Sequence, residues 1–420
     1  MGLTKLAFTF GLVAIIGCGG GTSTSGTTPP PTPPPPTGPA SGTELLYEAG
    51  FGSLQAFVLN PQTGVLSAPV NALPDGLLPE NQGIPPVASP DGKFLYLQAF
   101  DQVDGIAAIY CYSITGTHGE LTAIQGVNGP PFIPQYPPQI ANVTGMVMDP
   151  KGQNLYLTTN DSGGDPSTPS SHSIRQYSID PTSGALTEEL PYSVTSAAQS
   201  SALAIDPSGK YLYAESVLFQ SGIGISAFAI DSATGALKEL PGSPFVVNPT
   251  SNSLLNSSKI VFSPSGEFLY MNSEDQVYAF SINATTGVPN ALSGSPYNLN
   301  VRGLETLLLH PNGKFFYAVG QVLGSSDLSF SSFPVNTASG AITTTPVSVA
   351  EASSQSGAYT RGTVIDPSGQ VLVVKNQSTS LSTFLIDGAT GAISTQPGGP
   401  YNDGDPNTDG WESATIVKVP

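Results

Sequence analysis

Four charged side chains in this chain could carry out acyl-transfer chemistry: Glu215, Glu305, Arg302 and Arg361. A carboxylate can act as general base on a water, and a guanidinium can stabilise charge developing on a carbonyl oxygen. Glu305 and Arg361 each fall six residues before the proline of a repeated Pro-x-Gly turn, as do Ile84, Thr144, Ser201 and Ser258. Equal offsets in strands predict equal orientation. Glu305 and Arg361 are therefore expected side by side on adjacent repeats. There they could close an ion pair or grip a polar ligand jointly.

A second group suits binding more than catalysis. His172, Arg175, Lys259 and Trp411 fall toward the face of irregular loops, and Phe132, Tyr136, Phe219, Tyr297 and Tyr359 could stack on sugars or peptides beside them. Asp403, Asp405, Asn407, Asp409 and Glu412 offer oxygen ligands to calcium, the one cofactor for which the sequence holds a loop. From Asp405 the run reads Asp-x-Asn-x-Asp-Gly, the opening of an EF-hand loop. The glutamate of the twelfth position is replaced by Ile416, with Glu412 or Asp403 as substitutes, and a plain turn is the competing reading. The chain contains no Gly-x-Ser-x-Gly elbow, no His-Glu-x-x-His and no phosphate-cradling glycine loop.

The elements that must position these residues come from one repeated phrase. An apolar stretch, Pro-x-Gly and a Tyr-containing stretch recur at Pro90, Pro150, Pro207, Pro264, Pro311 and Pro367. A Phe-x-Ile-Asp-like run then ends in a turn glycine at Gly64, Gly119, Gly184, Gly235, Gly287, Gly340 and Gly391. Self-similarity at this spacing marks one repeated supersecondary unit. Alternation, as in Phe228-Ala229-Ile230, and aromatic enrichment predict strands, labelled A to D within each unit. The fold predicted is all-β, a seven-bladed propeller of four-stranded blades. Leu45-Leu46-Tyr47 lacks a preceding strand and Ser413 to Val417 lacks a following one, so the C-terminal strand should complete the N-terminal blade.

In such a ring the A–B and C–D turns share one face. The longer B–C and D–A loops, such as Asn160 to Ser173, Ser216 to Gly224, Ser243 to Ser257 and Gly399 to Ser413, share the other. Function is expected on the loop face. His118 and His310 fall in turns with Lys93, Lys151, Lys210, Lys238 and Lys314, and are expected to be solvated there. Cys111 in a strand C is expected to be a small core residue.

The chain ends read separately. Residues 1–17 form a signal segment, with Lys5 ahead of the apolar run Leu6 to Ile16, which is too short to span ~30 Å of hydrocarbon. Ile15-Ile16-Gly17-Cys18 resembles the lipobox of bacterial lipoproteins, so lipid is expected on Cys18. Residues 18–42 form a linker whose Pro-rich part should be semi-rigid, at ~3.1 Å per residue, and residues 43–420 form the propeller. The net charge of −18 argues against nucleic acid or anionic lipid as partner. A monomer in the cell envelope, lipid-anchored and either periplasmic or surface-exposed, is the expected state.

Asp206-Pro207-Ser208-Gly209-Lys210-Tyr211-Leu212-Tyr213 and Phe228 to Leu237 resemble the lactonase-type seven-bladed propeller family, over about residues 43–420. That family includes 6-phosphogluconolactonase. The resemblance implies lactone hydrolysis, with an Arg or His near the start of a strand A and a Glu near the end of the next strand B. Glu215 holds the second place. The strand before it opens Gln199-Ser200-Ser201, with neither Arg nor His. The leading expectation is therefore a propeller that binds a small molecule, glycan or envelope protein through its loop face. A lactone hydrolase and a structural envelope protein are the alternatives.

Overall fold

The computed structural model describes residues 42–50, 53–73, 84–100, 107–124, 142–161, 171–194, 202–218, 222–249, 259–273, 275–322, 328–351, 362–376, 380–396, 398–402 and 413–419. These residues form seven antiparallel sheets and no helix. From the axis outward, blade 2 runs Val87–Ala88, Phe94–Phe100, Ala107–Ile114 and Leu121–Ala123, and blade 3 runs Asn142–Met148, Asn154–Asp161, Ser171–Ile179 and Leu186–Val194. Blade 4 runs Leu203–Ile205, Tyr211–Leu218, Gly222–Ile230 and Leu237–Glu239. Blade 5 runs Ile260–Phe262, Phe268–Ser273, Gln276–Ile282 and Pro289–Ala291, and blade 6 runs Val301–Leu309, Phe315–Val322, Leu328–Pro334 and Ser348–Glu351. Blade 7 runs Val364–Ile365, Val371–Lys375, Ser380–Ile386 and Ile393–Thr395.

Blade 1 is assembled from both chain ends. Ser413–Lys418 is its inner strand, beside Glu44–Gly50, Ser53–Leu59 and Val70–Asn71. Glu44 pairs with Lys418 and Ala49 with Ser413, so the last strand lies antiparallel along the first.

Each turn of the repeat has a physical cause. In blade 4 the Asp206 carboxylate accepts the backbone N–H groups of Ser208, Lys210 and Tyr211 at 3.0, 2.8 and 2.6 Å. Gly209 supplies the left-handed residue, φ 71°. The turn glycine between strands C and D does two jobs. Gly287 sits at φ 71°, and a Cβ there would lie 2.4 Å from the Tyr211 ring of the preceding blade.

That glycine is also where the blades are joined. Tyr213 donates its hydroxyl hydrogen to the carbonyl of Gly287 in the next blade at 2.7 Å. Tyr47, Tyr96, Tyr156 and Tyr270 do the same to Gly119, Gly184, Gly235 and Gly340, at 2.7–2.9 Å. The Tyr of the Tyr-x-Tyr phrase and the Gly of the Thr-Gly phrase are thus two halves of one clasp. Around them lie seven buried apolar clusters, one between each pair of neighbouring blades. Cys111 belongs to the cluster between blades 2 and 3, and burial pushes its thiol pKa up, so it behaves as a small core residue.

Three expectations need correction. Blades 4, 5 and 7 carry a fifth short strand, Phe245–Asn248, Tyr297–Asn298 and Tyr401–Asn402, within what reads as D–A loop. The cause is local. Where strand D leaves strand C, the freed Ala227 N–H is taken by the Ser243 hydroxyl at 3.0 Å, and Ala279 N–H by Ser295 at 3.0 Å. The B–C connection of blade 4 is also tighter than expected, because the ladder continues from Glu215–Ile225 to Leu218–Gly222. Finally, His310 is buried, not solvated. Its Nδ1 accepts Asn312 N–H at 3.0 Å and its Nε2 lies 2.9 Å from the Gly369 carbonyl of blade 7. It occupies the slot that Asp206 fills in blade 4. Desolvation holds its pKa below the usual histidine value.

Candidate functional site

The two ends of the ring differ in chemistry. At the turn face the channel is a cavity of about 560 Å³ walled by inner strands, with Val147, Leu203, Ile205, Val261, Leu308 and Ile365 among its lining. Toward the loop face the strands turn polar. Two residues beyond the clasp tyrosine stand Gln98, Thr158, Glu215 and Asn272, and Lys375 holds the same register in blade 7. All five are at most 3% exposed. One residue further on, hydroxyl pairs form between Thr159 and Ser173 at 2.8 Å and between Ser216 and Ser226 at 2.7 Å. Asn376 donates to Ser380 and Ser382 at 3.0 Å.

Burying polar side chains costs free energy that an aliphatic residue at the same place would not incur. Several blades accept that cost at the loop-face end of strand B. Glu215 lies in this layer. Strand alternation turns it to the same side as Tyr213, toward blade 5, whose inner strand opens beside half-buried Lys259.

A charge pair completes the layer at the seam. Lys375 Nζ lies 3.3 Å from Glu48 Oε1, both side chains almost fully buried. Clasp geometry differs here because blade 7 has Val373 where other blades have tyrosine, so no hydroxyl is present. Between blades 6 and 7, His310 and Asn312 add contacts to Gly369 and Gly388.

The remaining sequence candidates divide. Arg302 is exposed in the inner strand of blade 6. Arg175 is built into blade 3: its Nη1 lies 3.0 Å from Glu188 Oε1, to which Tyr177 also donates at 3.0 Å. Both members of that ion pair are buried, so Arg175 is engaged within the blade. His172 lies in the same strand, Ser171–Ile179, and Glu305 in Val301–Leu309, but their side chains are outside the described residues. Arg361, Trp411, Cys18, Asp403, Asp405, Asn407, Asp409 and Glu412 are outside them too, as is the whole calcium loop. Among the described residues no cluster of three or more His, Cys, Asp or Glu is arranged for a metal.

The ladder of blade 6 also departs from the offset used to place Glu305. Its register slips between Arg302 and Thr306, so counting back from the turn proline does not transfer Glu305 to the orientation of its counterparts. Sequence reasoning missed Asn272 and the Glu48–Lys375 pair. The signal for Asn272 and Lys375 was a polar residue two places after Tyr270 and after Val373, its counterpart in blade 7.

Fold and site together define a closed seven-bladed propeller with a polar loop face. A family model described as "Lactonase, 7-bladed beta-propeller" matches residues 154–259 and 259–399. The chain belongs to that family. In structure it is similar to a candidate 6-phosphogluconolactonase of Bacteroides uniformis, with 19% identity, a TM-score of 0.64, and coverage of 89% of this chain and 99% of that one. A second candidate 6-phosphogluconolactonase, of Bacteroides fragilis, gives 21% identity, a TM-score of 0.63 and coverage of 89% and 98%. A functionally unknown protein of Desulfotomaculum acetoxidans gives 13% identity, a TM-score of 0.57 and coverage of 90% and 99%. No curated protein matches the chain in sequence.

Proposed function

We propose that this protein is a cell-envelope lipoprotein, anchored through Cys18, whose loop face binds a small polyhydroxylated ligand such as a sugar acid, its lactone or a glycan end. The observation that carries this reading is the buried polar layer of Gln98, Thr158, Glu215, Asn272 and Lys375 beneath the loop face. Such a layer makes the floor of the loop face polar, which suits a ligand with several hydroxyls seated above it. Calorimetric titration of the protein with gluconate and with D-glucono-1,5-lactone tests it. No heat from either, at millimolar ligand, defeats this ligand class.

A second reading, lactone hydrolysis, is favoured by the position of Glu215 and by family membership. Glu215 would take a proton from water as the water oxygen attacks the lactone carbonyl, with Arg302 stabilising the oxyanion. The ring C–O bond then breaks and the proton returns to the leaving alkoxide, giving the hydroxy acid. Removing the base should cost roughly 10²–10⁴ in rate. Glu215→Gln should therefore abolish measurable turnover while ligand binding persists. Wild-type protein that binds lactone without opening it would leave the binding reading alone.

A further inference from the structure

The inner strand of blade 6 is deformed at its loop-face end. Arg302 pairs with Gln321 and Thr306 with Val319, so Gly303, Leu304 and Glu305 stand opposite Gly320 alone. Gly303 takes a left-handed conformation, φ 56°, and a Cβ placed there would meet nothing within 4 Å. Behind the bulge the reverse holds. A Cβ on Gly320 would lie 2.5 Å from Val301 Cγ1 and 2.7 Å from the Arg302 carbonyl oxygen. The segment backs tightly onto blade 6 and opens at Gly303.

Two side chains of blade 5 hold it there. Asn272 Nδ2 donates to the Leu304 carbonyl at 3.0 Å, and Leu304 N–H donates to Asp275 Oδ1 at 3.4 Å. The other half of the Asn272 amide is also used: Oδ1 accepts the Lys259 N–H at 2.7 Å. One buried amide, 1% exposed, thus ties the opening of one inner strand to the bulge of the next. The inner strands of blades 4, 5 and 7 pair without a slip. A bulge sacrifices ladder hydrogen bonds and re-aims the chain. Here it brings exposed Arg302 beside bare backbone at Gly303.

We propose that Asn272 is a positioning residue of the loop-face site, fixing the bulge so that Arg302 and the Gly303 backbone receive an acyl oxygen of the ligand, a carboxylate or a lactone carbonyl. This rests on the loop-face reading above. A guanidinium presents several N–H donors to such an oxygen, and the absent side chain at Gly303 lets the ligand approach the backbone closely.

The test uses the full chain and two variants. Asn272→Asp keeps an acceptor for Lys259 N–H but sets an oxygen against the Leu304 carbonyl. Gly303→Asn fills the open space with a residue that tolerates left-handed φ. In Asn272→Asp, amide exchange over 301–306 should quicken by about tenfold, that over 371–375 staying constant, because one charge-opposed hydrogen bond is lost. In Gly303→Asn, exchange should hold while affinity for gluconate or D-glucono-1,5-lactone falls by about tenfold or more, as expected when a fitted contact is blocked. Unchanged exchange in Asn272→Asp overturns the positioning role, whatever the ligand. Unchanged probe affinity in Gly303→Asn overturns the bulge as a contact. Wild-type protein indifferent to both probes overturns the ligand class and the loop-face reading in that form, while the exchange result still decides whether Asn272 sets the bulge.

Discussion

Lys375 of blade 7 reaches across the closing seam to Glu48 of blade 1, Nζ to Oε1 at 3.3 Å, at a junction whose strand B has Val373 in the tyrosine position. Five other junctions use a tyrosine hydroxyl on a glycine carbonyl. The seam substitutes a buried ion pair, whose strength depends on both partners. Removing one leaves an uncompensated buried charge, costing about 3–5 kcal/mol, while replacing both with apolar groups is often near neutral. Lys375→Met and Glu48→Leu should each lower the denaturation midpoint more than Lys375→Met/Glu48→Leu does together. Additive losses in the double variant would show that the two charges do not act as a pair.

Closure itself is set by the last strand. Deleting 413–420 removes the inner strand of blade 1 and strips Glu44–Gly50 of its ladder partner on the channel side. The whole ring should lose stability, because an exposed inner edge borders the channel. An unaltered melting temperature in the truncated protein would mean that the terminal pairing contributes nothing to closure.

Acidity should act at the same seam. Glu44 is buried opposite Lys418, and its carboxyl pKa is raised to about 7, first by burial, then by the nearby Asp366 carboxylate, with Lys418 opposing. A carboxyl that holds its proton more tightly when folded stabilises the folded state while protonated. That contribution is complete below its unfolded value of 4.5 and is lost as pH rises through about 7. His310, which contacts blade 7 and senses Asp366, has the opposite sign: its lowered pKa favours the folded state once neutral, and the benefit fades as pH falls. Comparing melting at pH 5 and pH 8, Glu44→Gln should remove part of the loss seen at the higher pH in the wild type. A parallel offset at both values would place the ionisation elsewhere.

Much of the ring is legible in the sequence because each turn needs particular residue types. Pro-x-Gly and Thr-Gly mark hairpins through backbone conformation alone, and their spacing gives the blade count. What those glycines touch is not local. The partner of Gly287 is Tyr213, in the preceding blade, and only the ring brings them together. The Gly-Ser-Pro-aromatic runs ending in Phe245 and Tyr297 repeat visibly, but read as loop because each strand they form is at most four residues long. His310 is misplaced by sequence reasoning because its turn slot is usually filled by Asp or Ser, and the inward aim belongs to the slot. At the site, Glu215 is legible from its place after Tyr213, whereas Asn272 matters through a bulge that offset counting cannot see.

The anchoring prediction concerns Cys18 and is independent of the ring. If lipid on Cys18 holds the protein, Cys18→Ser should move it from the membrane fraction to the soluble one, since the short apolar run before it cannot anchor alone once removed. Membrane retention of the processed Cys18→Ser protein would rule out attachment at that residue.

The interblade clasp allows a finer test, because its two halves fail for different reasons. Tyr213→Phe keeps the ring in its cluster and loses only the hydrogen bond to the Gly287 carbonyl, so it should cost about 1–2 kcal/mol. Gly287→Ala keeps the carbonyl but must hold an L-residue at φ 71° with its Cβ 2.4 Å from the Tyr211 ring. Backbone strain and collision add, so this change should cost more than Tyr213→Phe, on the order of 2–4 kcal/mol. Gly287→Ala with Tyr211→Ala should recover the collision component and keep the strain. Chemical denaturation of the four proteins reads these terms directly. If Gly287→Ala proved milder than Tyr213→Phe, the glycine would be answering to turn preference alone, and the tight approach between blades 4 and 5 would have to relax at little cost.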